Sequence, residues 1–290
     1  MATATVFFAT IPGSIDAENL IMKSPLGLNT ELPVGDMISE AVNLLWQKRQ
    51  QVLAMFLPAI LLLAFVDWTS SQFIPTNHWG QLLFLIVSLL LSVLFATAAH
   101  RFTLLPQEQW NRNAIHMWKR EEFGYLLRAL QIGIMAAVLF FIIMVALMMV
   151  LGKELMPLAA VAGALPALYI WGRFSVTLPE VALGRKTSLK RAWAMSEGNG
   201  SRMVLVVIII PLLMTAPFLL LYLLDIAVLN YVAAFGSYIT TLISLVMLSL
   251  TYRFLLSFYE QTPEEAVDRP DTEDEDDDTD NRPGNGGFDA

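Results

Sequence analysis

Charge-free apolar stretches alternate with short basic stretches along most of the chain. Six of the apolar stretches approach the length of a membrane span. They are Val52–Val66, which Trp68 extends, Leu82–Ala99, Ile132–Leu151, Leu155–Trp171, Met203–Leu224 and Val232–Leu250. A helix needs about 20 apolar residues to cross the hydrocarbon core. None of the six holds Asp, Glu, Lys, Arg, His, Asn or Gln. Lipid offers no partner to an open backbone group, so each stretch is predicted to be a helix. Six such runs are too many for the buried helices of a single soluble core. The fourth stretch carries Ala159, Gly163 and Ala167 at four-residue spacing. Small residues so spaced let backbones approach closely, which predicts this helix at the centre of the bundle. Pro58, Pro166, Pro211 and Pro217 predict kinks or local unwinding.

The polar stretches carry a second pattern. Three times a Trp in a basic amphipathic segment is followed by two apolar stretches and then by Arg-Phe: Trp46 to Arg101, Trp118 to Arg173, Trp193 to Arg253, at spacings of 55, 55 and 60 residues. The unit predicted is an interfacial helix followed by a transmembrane hairpin, repeated over about 35–105, 110–180 and 187–259. Gly35–Gln50 forms the first interfacial helix, with Ile38, Val42, Leu45 and Trp46 at three- to four-residue spacing. Ile115 and Trp118 mark a shorter second copy. In the third, Thr187 or Ser188 caps a helix that Gly198-Asn199-Gly200 stops.

Charge sets the orientation. Of 18 Lys and Arg, only Lys153 lies in a loop that the alternation assigns to the outside; the other 17 lie on the opposite side. The excess of cations marks the cytoplasmic side and puts both termini there. The whole chain is 56% hydrophobic and 15% charged, with a mean hydropathy of +0.58. The formal net charge of −8 conceals a division. Residues 260–290 hold 13 acidic residues against Arg269 and Arg282. Residues 1–259 carry 16 basic and 13 acidic residues. The acidic tail is too poor in apolar residues to offset ordering entropy and is expected to be disordered. Residues 1–33, rich in Pro and Gly, are expected to form a poorly ordered cytoplasmic arm. Residues 34–259 form the six-helix membrane domain. The N-terminus lacks the basic stretch of a cleavable signal peptide. There is no Cys.

Candidate binding residues cluster at the cytoplasmic ends. Arg101, Arg173 and Arg253 each close an inward crossing. Each either snorkels to the phosphate layer as an anchor, or the three converge on a shared lipid phosphate or on Glu180. Trp46, Trp118 and Trp193 suit the headgroup layer. The texts RFTLLPQE and RFSVTLPE place Glu108 and Glu180 at the head of cytoplasmic segments. Asp67 and Asp225 are read as solvated acids where the first and fifth spans emerge. The three His have no metal-ligand spacing. No nucleotide-binding glycine loop, HExxH or nucleophile elbow is present. With no ionisable residue assigned inside a span, ion-coupled transport loses its usual signature. The residues thus point to a protein that is not an enzyme and needs no cofactor or metal. The acidic tail argues against nucleic acid as a partner.

The stretch from Arg173 to Arg202 carries Arg173, Ser175, Pro179, Ser188, Leu189, Ala192, Trp193, Ser196, Gly198, Asn199 and Arg202. It resembles text found in bacterial six-helix inner-membrane proteins: the membrane domain attached to some glycerophosphodiester phosphodiesterases, and YciC-like proteins. The resemblance implies the same fold and a bacterial inner membrane. It brings no catalytic residues, because the phosphodiesterase chemistry belongs to a separate soluble domain. The expectation is an all-α polytopic membrane protein of six transmembrane helices, arranged as three parallel hairpin repeats. Its expected partners are anionic lipids and a protein held through the tail or the Ser188–Gly198 helix. The function class is a scaffold, assembly partner or envelope-maintenance factor. The alternative is a transporter or channel for a lipid or small amphipathic solute.

Overall fold

The computed structural model describes residues 31–73 and 78–259. The acidic tail, and the arm up to residue 30, lie outside the described residues. No strand occurs among the described residues, and six helices are long and apolar enough to cross a membrane. The chain is therefore a multi-pass membrane protein of the all-α class.

Helix α1 spans Val34–Gln47 and is amphipathic, burying Met37 and Ala41. The spans follow as α2 (Arg49–Phe73), α3 (His78–Leu104), α4 (Arg120–Leu151) and α5 (Met156–Phe174). After α5 come the short α6 (Thr177–Ala182), α7 (Leu189–Met195) and α8 (Gly200–Val204). A π-helical turn at Leu205–Ile209 leads into α9 (Ile210–Leu221), and α10 (Ala227–Tyr259) ends the described chain. The wide turn precedes Pro211, which lacks the N–H that a regular helix would use. Pro58, Pro166 and Pro217 lie inside α2, α5 and α9.

Two expectations change. The segment around Ile115 and Trp118 is irregular rather than helical up to α4. Asn111 and Asn113 precede it, and such side chains compete for the local backbone groups. Its anchor is tertiary instead: the Ala114 amide donates to the Met55 carbonyl at 3.1 Å. The central helix is α10, not α5. Helix α10 packs against α1, α2, α3 and α9, whereas α5 packs chiefly against α4 and α8. The small-residue stripe still serves close packing. A Cβ on Gly163 would lie 3.0 Å from the Phe140 carbonyl oxygen of α4, and Ala159 and Ala167 are buried beside it.

The densest packing lies toward the end of the bundle where Arg49, Arg101, Arg173 and Arg253 gather, called here the basic end. Phe56 meets Phe95 and Phe102 edge-on at 5.7 and 5.5 Å. Trp110 stacks on Phe102 at 4.6 Å, with the Lys48 ammonium 4.6 Å above the indole. Phe95, Phe102, Met247, Leu250 and Tyr252 are fully buried there. Toward the far end most large side chains of α3, α4 and α9 are exposed, as lipid-facing surface should be.

Replacing Gly163 by Leu is expected to push α4 off α5 and cost about 1–3 kcal/mol, the range for overpacking. Gly35→Ala, with nothing within 4 Å of the new carbon, is expected to be neutral. Thermal unfolding of the detergent-solubilised protein checks both.

Candidate functional site

Most of the buried polar side chains form a layer at the basic end. Burial without a partner is costly for any of them, so the pairings decide what the layer can do. Arg101, near the C-terminus of α3, donates from Nε to the Ala182 carbonyl at 2.8 Å and from its terminal nitrogen to Glu122 Oε1 at 2.7 Å. Glu122 is fully buried. Its other oxygen accepts the Lys119 amide at 2.8 Å, which caps α4. One guanidinium thus ties α3 to α4 and to α6. Beside it, His100 sits between the Ser249 hydroxyl at 2.7 Å and the Tyr125 hydroxyl at 3.3 Å, joining α3 to α10 and α4.

Arg173 is equally enclosed. Its Nε donates to Ser196 Oγ at 2.9 Å and a terminal nitrogen to the Trp193 carbonyl at 2.5 Å. Its guanidinium lies 3.6 Å from the centre of the Trp193 ring, a cation–π contact. Helix α7 is thereby fixed to the end of α5. The Ser188 hydroxyl accepts the Arg191 amide at 3.1 Å and caps α7 as expected. Gly198 takes φ 74°, a left-handed conformation that suits Gly.

Glu180 on α6 is buried and pairs with Arg191 at 3.1 Å. Its Oε2 is buried without a hydrogen bond among the described residues. Glu108, at the matching place after the first Arg-Phe, is exposed, so the two similar texts end in different environments. Asn199 accepts the Leu32 amide at 2.7 Å through Oδ1. Arg202 donates to the Leu32 carbonyl at 3.3 Å and to Glu31 at 2.5 Å. Leu32 is buried. Residues 31–33, which the composition assigns to the arm, therefore belong to the body.

The three arginines do not converge. Arg101 and Arg173 are buried inside the protein with separate partners, so neither snorkels freely to the phosphate layer. Arg253 pairs with Glu40 at 2.6 Å on the surface. The three Trp remain at least partly exposed, Trp46 most of all at 70%. Glu180 lies near Arg101 only through α6, whose Ala182 carbonyl Arg101 holds.

Sequence reasoning missed Glu122, Tyr125, Ser249 and Leu32. Glu122 stands in the text Lys-Arg-Glu-Glu, which reads as ordinary helix-start charge. It also misplaced Asp67. Helix α2 continues to Phe73, so Asp67 lies within a helix rather than at an exit. Its oxygens accept the Ser88 hydroxyl at 2.9 Å and the Tyr238 hydroxyl at 2.5 Å. Tyr238 is about 16 Å along α10 from Ser249, so this acid joins α2, α3 and α10 well away from the basic layer. Asp225, by contrast, is exposed at a left-handed turn with φ 50°.

Comparison with protein-family models, with characterised proteins and with solved structures finds no match to this chain. The resemblance carried by residues Arg173 to Arg202 stands on those residues alone.

Removing one member of the Arg101–Glu122 pair leaves a buried charge uncompensated. Arg101→Met or Glu122→Leu is each expected to cost about 3–5 kcal/mol, whereas the double variant recovers most of the loss. A double-mutant cycle by thermal unfolding reads the recovery directly.

Proposed function

We propose that this protein works without catalysis, as a scaffold, assembly partner or envelope-maintenance factor in a bacterial inner membrane. In this reading both termini are cytoplasmic, and the spans form three hairpin units of one orientation with amphipathic segments at the cytoplasmic surface. The contacts between α2 and α3, α4 and α5, and α9 and α10 support the hairpins. Kinship with the six-helix proteins named above is part of the same proposal and rests on the text from Arg173 to Arg202.

One observation carries the reading. The side chains best suited to form a binding or catalytic centre are used to join one part of the chain to another. Arg101 joins α3 to α4 and α6, Arg173 joins α5 to α7, and Asn199 joins α8 to Leu32. Facing outwards at the basic end are Arg112, Lys119, Arg120, Arg185, Lys186 and Lys190, all exposed. Such a surface suits anionic lipid and an acidic protein partner.

Cross-linking and affinity capture of the full chain test this. A reproducible protein partner is expected, weakened about tenfold or more by Lys186→Glu with Lys190→Glu, the scale of several surface charge contacts. Purification with no reproducible partner overturns the reading. The two lysines are preferred to deletion of Ser188–Gly198, because that helix holds Arg173.

A second reading, a transporter or channel for a lipid or small amphipathic solute, is favoured by Asp67. An ionisable side chain inside a span is costly and tends to be retained for function. Asp67→Asn in reconstituted vesicles separates the two: a transporter is expected to lose most solute flux, whereas a scaffold keeps its partner unchanged.

A further inference from the structure

Helix α1, the first turns of α2 and the middle of α10 do not close on one another. Between them lies a cavity of about 280 Å3. Val42 and Trp46 of α1, Leu53 of α2 and Ile239 of α10 stand on its walls, and every residue that lines it is apolar. Along α2 it runs from Val52 to Ile60, about 12 Å at 1.5 Å per residue. Val42, Leu53 and Ile239 are also exposed, so the cavity opens sideways along the membrane-facing surface as a groove. Its walls offer nothing to a polar solute. Part of a slender flexible hydrocarbon chain fits its length, its lining and its lateral opening.

The mouth has a different chemistry. Trp46 stands there, and the Arg49 guanidinium lies 5.7 Å above its ring. Arg49 is exposed at the start of the span, the depth at which Trp and cationic side chains meet headgroups. Glu40 of α1 is already engaged by Arg253 at 2.6 Å. The groove therefore pairs an apolar channel with a cation at its entrance.

We propose that this groove holds the headgroup-proximal part of one acyl chain of an anionic phospholipid, with the lipid phosphate against Arg49. The guanidinium fork suits a phosphate, and the Trp46 ring covers the glycerol end of the chain. The proposal does not depend on whether the basic end recruits a protein.

The test uses the full chain in detergent, with phosphatidylglycerol and phosphatidylcholine added in turn and adducts counted by native mass spectrometry. One phosphatidylglycerol adduct is expected to survive activation that strips the others, and to bind about tenfold tighter than phosphatidylcholine, the scale of one hydrogen bond to a charged group. Leu53→Trp fills the groove and is expected to abolish that adduct with both lipids. Val42→Trp fills it from the opposite wall and serves if the first variant fails to fold. Arg49→Gln is expected to keep a tight adduct but erase the preference for phosphatidylglycerol. Retention of the tight adduct in both filled variants overturns the proposal, and so does an unchanged headgroup preference in Arg49→Gln. A wild-type dimer without lipid that Leu53→Trp turns into a monomer also overturns it, because a second copy would then occupy the groove.

Discussion

Arg101 and Glu122 meet 2.7 Å apart with the carboxylate fully buried, and the rest of the basic end is arranged around that pair. A carboxylate so enclosed stands only if its lone pairs are satisfied, and the guanidinium and the Lys119 amide both contribute to this. The guanidinium in turn holds the Ala182 carbonyl of α6. Two consecutive spans and the more distant α6 are thereby set at one depth. His100 continues the layer to α10 through Ser249, and Arg173 supplies a second fastening, between α5 and α7.

Lipid explains why polar fastenings carry so much of the specification. In a membrane, apolar side chains gain little by leaving lipid for one another, so helices associate through close packing and hydrogen bonds. Both devices appear here, in different places. Around Gly163 the backbones of α4 and α5 come together without polar help. Away from the basic end, Thr215 bonds Thr240 at 2.7 Å, the Trp68 indole bonds the Ala227 carbonyl at 2.9 Å, and Asp67 holds Ser88 and Tyr238. Many of the large side chains there face outwards.

The six spans and their order were legible because hydrocarbon permits only one backbone solution for a charge-free run. Their ends were less so. Asp67 reads as a solvated acid where the first span emerges, yet the carboxylate finds two hydroxyl donors on other helices and the helix runs on to Phe73. The cap at Ser188 and the stop at Gly198 were readable because their causes are local. Arg101, Arg173 and Asn199 stood out as residue types in suggestive places, as did Trp193 and Ser196, which hold Arg173. Glu122 and Leu32 look ordinary where they stand, and only tertiary packing brings them to Arg101 and Asn199. The centrality of α10 was illegible for the same reason: a stripe of small residues marks close approach to one neighbour and says nothing of how many neighbours a helix has.

Asn199 holds Leu32 across 167 residues of intervening chain. Seen as an event during synthesis, that bond has a fixed place in time. Leu32 is made before any span, and its acceptor emerges only after four spans have been produced. The clasp that buries Leu32 can therefore close only after the first four spans have been made.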